Sequence, residues 1–129
     1  MPILKAVAAT AATMLALDLL WLGVIAKDFY ARHMGTLLRP DVRWVPALLF
    51  YAVYLAAIIV FVVLPAAERK SLEWALGMGA FFGLAAYATY DLTSLALIRD
   101  FPLRVVLVDL AWGTALTAVV CGAGYLAAR

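Results

Sequence analysis

Four long apolar runs, separated by short polar connectors, dominate the pattern along this chain. They cover residues 3–26, 45–65, 72–98 and 103–127. At a rise of about 1.5 Å per residue, each is long enough to cross a hydrocarbon layer about 30 Å thick. Pro46 falls in the first turn of the second run, where a missing N–H does no harm. Ser71 precedes the third run and suits an N-cap. The pattern therefore predicts an all-α fold. It is an integral membrane bundle of four transmembrane helices, forming a single domain over residues 1–129.

The connectors add detail. Residues 27–44 hold Lys27, Arg32, Arg39 and Arg43, partly offset by Asp28 and Asp41. There Phe29, Tyr30, Met34, Leu37 and Leu38 roughly follow helical spacing. Two readings stand: a short helix lying in the membrane interface, or a loop broken at Gly35 and Pro40. The tight connector at residues 66–73 makes the second and third helices antiparallel neighbours. Arg99-Asp100-Phe101-Pro102 makes the last turn. Lys5 ahead of an alanine-rich stretch also fits a cleaved leader, but the length of the first run and its Asp18 favour a retained span. Six basic residues (Lys27, Arg32, Arg39, Arg43, Arg99, Arg104) flank one end of the bundle and four (Lys5, Arg69, Lys70, Arg129) the other. The positive-inside rule thus leans toward a cytoplasmic first connector.

Composition supports the membrane reading. Of 129 residues, 68% are hydrophobic and 14% charged, whereas a soluble domain is about half apolar and about a quarter charged. A net charge of +2 gives no reason to expect nucleic acid as a partner. The lone Cys121 and the lone His33 exclude an internal disulfide and a histidine cluster, and no metal site is expected. Cys121 reads as a packing residue and His33 as interfacial. No phosphate loop, nucleophile elbow or zinc-protease motif is present. No cofactor can be named.

Against that background three acids stand out within the runs: Asp18, Asp91 and Asp109. A mid-span charge costs about 2.5–3.5 kcal/mol on insertion scales, and such residues usually face the bundle interior. Counted from the nearest flanking cation, the three lie roughly 8–13 Å below one boundary at the helical rise. Tyr51 reaches the same level, with Tyr54 a turn deeper. Spacing puts Gly83, Tyr87, Asp91 and Ser94 on one stripe. Asp109, Gly113, Thr117 and Cys121 form another stripe, and Thr10, Met14, Asp18 and Trp21 a third. Convergence of these stripes would make an acid-and-aromatic pocket of Asp18, Trp21, Tyr51, Tyr54, Tyr87, Tyr90, Asp91, Asp109 and Trp112. Three acids in one pocket titrate as a coupled set. That suits a proton relay, a general acid or a cation site, while interhelical pinning is the plain structural alternative. Trp44 and Trp74, near helix ends, read as interfacial belt residues. Asp18-Leu19-Leu20-Trp21 is echoed by Asp109-Leu110-Ala111-Trp112. Gly79-x-x-x-Gly83 has the small-residue spacing of helix contacts, a possible homodimer face.

Several strings carry a family resemblance: Asp18-x-x-Trp21-Leu22-Gly23, Phe29-Tyr30, Trp44-x-x-Ala47-x-x-Phe50-Tyr51-x-x-Tyr54, Gly79-Ala80-x-Phe82-Gly83, Tyr87-x-Thr89-Tyr90-Asp91-Leu92-Thr93 and Asp109-x-x-Trp112-Gly113. The chain resembles domain-of-unknown-function family 2177, small bacterial membrane proteins; Ser94 stands where many relatives are expected to have Asn. The resemblance implies a multi-pass inner-membrane protein with a four-helix unit, and no reaction. The residues support binding or transport of a small or lipidic molecule through the Asp/Tyr/Trp pocket, with membrane lipid as a partner. An acid–base enzyme acting on a lipid-soluble substrate and a structural or assembly subunit are the alternatives.

Overall fold

A computed structural model of the protein describes residues 2–35 and 43–129, and its elements are helical throughout. Helix α1 (Pro2–Leu20) runs on through a π-helical turn (Trp21–Ile25), and α2 (Lys27–Met34) follows a break at Ala26. Helix α3 (Trp44–Ile58) passes through a second π-helical turn (Ile59–Val63) into α4 (Leu64–Arg69), and α5 (Leu72–Leu97) and α6 (Leu103–Ala128) complete the chain. Of the two readings of this connector, a short helix is present over Lys27–Met34, whereas Leu37, Leu38, Arg39, Pro40 and Asp41 lie outside the described residues.

Three stretches are long and apolar enough to cross a membrane: Ile3–Ile25, Trp44–Arg69 and Leu103–Ala128. The expected fourth span, α5, has the length at 26 residues. Its second half, however, carries Tyr87, Thr89, Tyr90, Asp91, Thr93 and Ser94, which dilute its apolar run. Four spans were expected, and by length and apolarity three are found among the described residues.

Local chemistry explains the element ends. The second span was expected to stop at Pro65, but the helix continues to Arg69. Proline lacks an N–H and crowds the carbonyl four residues back. The wider π turn just before Pro65 is the kind of local adjustment that absorbs such a residue within a helix. Lys70 then adopts a left-handed conformation (φ 54°), and Ser71 caps α5, its hydroxyl accepting the Trp74 N–H at 3.0 Å. The Arg69 guanidinium lies 4.7 Å above the Trp74 ring, tying the connector to the helix it introduces.

Helix α6 is the centre of the bundle. It packs on α5, on α1 and on the α3–α4 span, and its buried positions include Gly113, Thr117, Cys121, Gly122 and Gly124. These small residues let neighbouring backbones close in. A Cβ at Gly79 would stand 2.9 Å from the Thr117 carbonyl oxygen and 3.0 Å from the Cys121 Cβ; at Gly83 it would stand 2.7 Å from the Thr117 Cβ. Gly79 and Gly83, the expected route to a dimer, are therefore buried in the seam between α5 and α6 of one chain. Thr10 sits beside Gly124 and Trp21 beside Trp112, so α1 runs antiparallel to α6. Tyr54 beside Thr117 and Val63 beside Gly124 make α3 parallel to it.

Large apolar side chains cover much of the outside of the bundle. Val45 and Val53 on α3 are 71% and 67% exposed. Water would penalise such surface, while lipid does not. The first half of α3 is largely exposed; Tyr51 packs against the core, and the helix's buried positions are Tyr54 and Ile58.

Candidate functional site

Asp91 is fully buried on α5, and neither of its carboxyl oxygens has a hydrogen-bond partner among the described residues. The Asp109 carboxyl of α6 faces it. Both line a cavity of about 420 Å³ completed by Phe50, Ala86, Tyr87 and Tyr90. Two features of the sequence bring the pair together. The Gly83–Gly113 contact draws α5 and α6 close, and two turns beyond Gly83 the helix presents Asp91 on the same stripe. The Tyr87 ring lies directly over Gly113, where no larger residue would leave it room.

The acids are held by an aromatic chain from α1 and α2. The Tyr30 hydroxyl donates to Asp109 Oδ1, and the Trp21 indole N–H donates to the Tyr30 oxygen at 3.1 Å. Burial, reinforced by the Asp109 carboxyl it serves, pushes the Tyr30 phenol above its ordinary value, so Tyr30 remains a donor. Phe29, Tyr30 and Met34 seat α2 on Phe101, Val105 and Val106 at the start of α6, which fixes Tyr30 over the site. His33 uses its Nδ1 on the Phe29 carbonyl oxygen at 2.9 Å.

The two Asp-x-x-Trp strings turn out to be reciprocal. Trp21 and Trp112 stack face to face, with centroids 4.4 Å apart and planes 8° from parallel. On antiparallel helices this places Asp18 beside Trp112, while Trp21 reaches Asp109 through Tyr30. Asp18 also faces the Tyr51 hydroxyl, whose buried oxygen has no hydrogen-bond partner among the described residues.

Eight of the nine residues expected to converge therefore fall into two linked groups. Asp91, Asp109, Tyr87 and Tyr90 line the cavity. Asp18, Tyr51, Trp112 and Trp21 stand on the α1 side of it. Tyr54 is committed elsewhere: its hydroxyl meets Thr117 Oγ1 at 2.7 Å and its ring contacts Phe50 and Phe82. Tyr90 is largely exposed and meets Phe101 edge-on at 6.1 Å. Thr89 and Thr114 bond carbonyls on their own helices, at 2.7 Å each. Sequence reasoning did not place Tyr30 and Phe50 in the site. The signal for Tyr30 was the apolar stripe of α2, which has to dock somewhere on the bundle.

Such an arrangement offers a polar end inside an apolar wall. Asp109 has a donor in Tyr30 and Asp91 has none, so a proton or a ligand group between the two carboxyls would satisfy both. A family model described as "Predicted membrane protein (DUF2177)" matches residues 3–126. No curated protein and no solved structure matches the chain.

Proposed function

The chain belongs to this family of predicted membrane proteins, and we propose that it binds a small or lipidic molecule at the Asp91–Asp109 pair. In this reading it is a multi-pass protein of the bacterial inner membrane, with α5 as the fourth span. The observation that carries the reading is Asp91: a fully buried carboxyl without a hydrogen-bond donor among the described residues, lining a cavity. Natural proteins rarely leave a buried polar group unmet, because it forfeits its hydration with nothing in return. A proton held between the carboxyls meets the need when the pocket is empty, and a ligand group meets it when filled. Occupancy and protonation are then linked, which is the elementary step of proton-coupled binding or transport.

The test uses protein extracted in discs of its native membrane. Small molecules and lipids that co-purify are quantified by mass spectrometry for wild type, Asp91→Asn and Asp109→Asn. A species enriched in wild type and lost in both variants, with folding intact, supports the reading. Identical profiles in all three refute it.

A further inference from the structure

The charge and layout of the cavity narrow what it takes. Among the described residues lining it there are two carboxyls and no Lys, Arg or His. An anionic head would bring like charge to an acid pair with no cation to offset it, and the desolvated site would magnify the penalty. A neutral head would leave one carboxyl without a counter-charge. The remaining lining favours a cation: Phe50, Tyr87 and Tyr90 present aromatic rings around the acids, and ring faces attract ammonium groups.

A second cavity points to a tail. It has a volume of about 470 Å³ and is lined by Phe61, Val62, Met78, Phe81, Phe82 and Ala85, with no charged side chain among them. Both cavities lie between α5 and the α3–α4 span. Ala86 lines the first and Ala85 the second, and Tyr54 bridges them, stacking on Phe50 at 5.4 Å and contacting Phe82 at 5.7 Å. From Asp91 back to Met78 is roughly 20 Å along α5 at the helical rise, the scale of an extended acyl tail. Phe50, Phe61, Phe81 and Tyr90 are all more than half exposed, so this face opens sideways rather than toward water.

Building on the proposed binding role, we infer that the site takes a single-tailed amphiphile with one positive charge, a protonated or quaternary amine. It enters from the lipid between α3 and α5, with its head at the Asp91–Asp109 pair and its tail toward Phe61 and Met78. Affinity comes from charge at one end and apolar contact at the other.

The experiment compares three probes with the same twelve-carbon tail: dodecyltrimethylammonium, dodecanol and dodecyl phosphate. Full-length protein sits in discs of neutral phosphatidylcholine, and saturable binding of tritiated dodecyltrimethylammonium is measured above empty discs. The inference expects saturable binding. It expects dodecanol and dodecyl phosphate to compete at least tenfold more weakly than unlabelled cation. Asp91→Asn should weaken binding tenfold or more, and Asp91→Glu, which keeps the charge, should recover part of it. Equal or better competition by the alcohol or the phosphate overturns the inference, as does absence of saturable cation binding. The native-disc profiles separate the two levels: Asp91-dependent enrichment of another species leaves the binding role standing, and its absence removes both.

Discussion

Replacing Gly83 by alanine tests the seam on which the site is built. The added Cβ would lie 2.6 Å from Thr117 Oγ1 and 2.7 Å from its Cβ, with the Gly113 carbonyl oxygen closer still. Carbon atoms rest about 3.5–4.0 Å apart, so α5 and α6 have to separate by about 1 Å. Overpacking of this kind typically costs about 1–3 kcal/mol. Moving Thr117 also disturbs its hydrogen bond to Tyr54, an interhelical contact of a kind averaging about 0.6 kcal/mol. Gly77 supplies the control, because a Cβ there meets nothing within 4 Å. Gly77→Ala should be neutral or gain up to about 1 kcal/mol from helix propensity. The two alanines should therefore differ by about 2–4 kcal/mol, measured by reversible unfolding in lipid bicelles. If Gly83→Ala is as stable as Gly77→Ala, then the α5–α6 seam, and the pairing of Asp91 with Asp109 that depends on it, is wrong.

Other predictions rest on single contacts. Tyr30→Phe removes the donor to Asp109 and the acceptor of the Trp21 N–H, and should cost about 0.6–2 kcal/mol as an interhelical bond. Because the folded protein holds the Tyr30 proton more tightly than the unfolded chain does, its contribution is complete below the ordinary phenol value near 10 and declines as pH rises past it. Unfolding measured from neutral to alkaline pH should show that decline in wild type and a smaller one in Tyr30→Phe. A double-mutant cycle replacing Trp21 and Trp112 by leucine should return a coupling of about 0.5–1.5 kcal/mol, read from the same unfolding assay. Ser71→Ala should cost about 0.5–2 kcal/mol by losing the cap on Trp74, with amide exchange rising first at the start of α5.

Much of this was legible in the sequence because lipid enforces it. Helical hydrogen bonding satisfies a span's backbone internally, so the apolar runs read directly as helices. The acids were expected to face the interior because a charge inside a run is costly; in the structure Asp91 is fully buried, and Asp18 and Asp109 are partly so. What spacing could not supply was partnership. It does not say that Asp91 faces Asp109 while Asp18 faces Trp112 and Tyr51, because that depends on α1 and α5 both packing on α6. The glycine pair was misleading for the same reason: its spacing signals close approach without naming the neighbour, which is α6 of the same chain. The exposure of the first half of α3 was illegible because it depends on how the second span leans on α6, and the π turn before Pro65 because the apolar pattern does not say that the helix runs on through that proline.

The pocket can be interrogated most directly by light. A photoreactive benzoylphenylalanine in place of Phe50, which lines the cavity from α3, is compared with the same group at Leu107, an exposed position on α6. Cells are irradiated and the adducts identified by mass spectrometry. A bound ligand predicts a discrete amine-bearing amphiphile captured at position 50, absent at position 107, and lost when Asp91→Asn is introduced. Capture of the same bulk lipids at both positions, unchanged by that substitution, contradicts a ligand site at the acid pair.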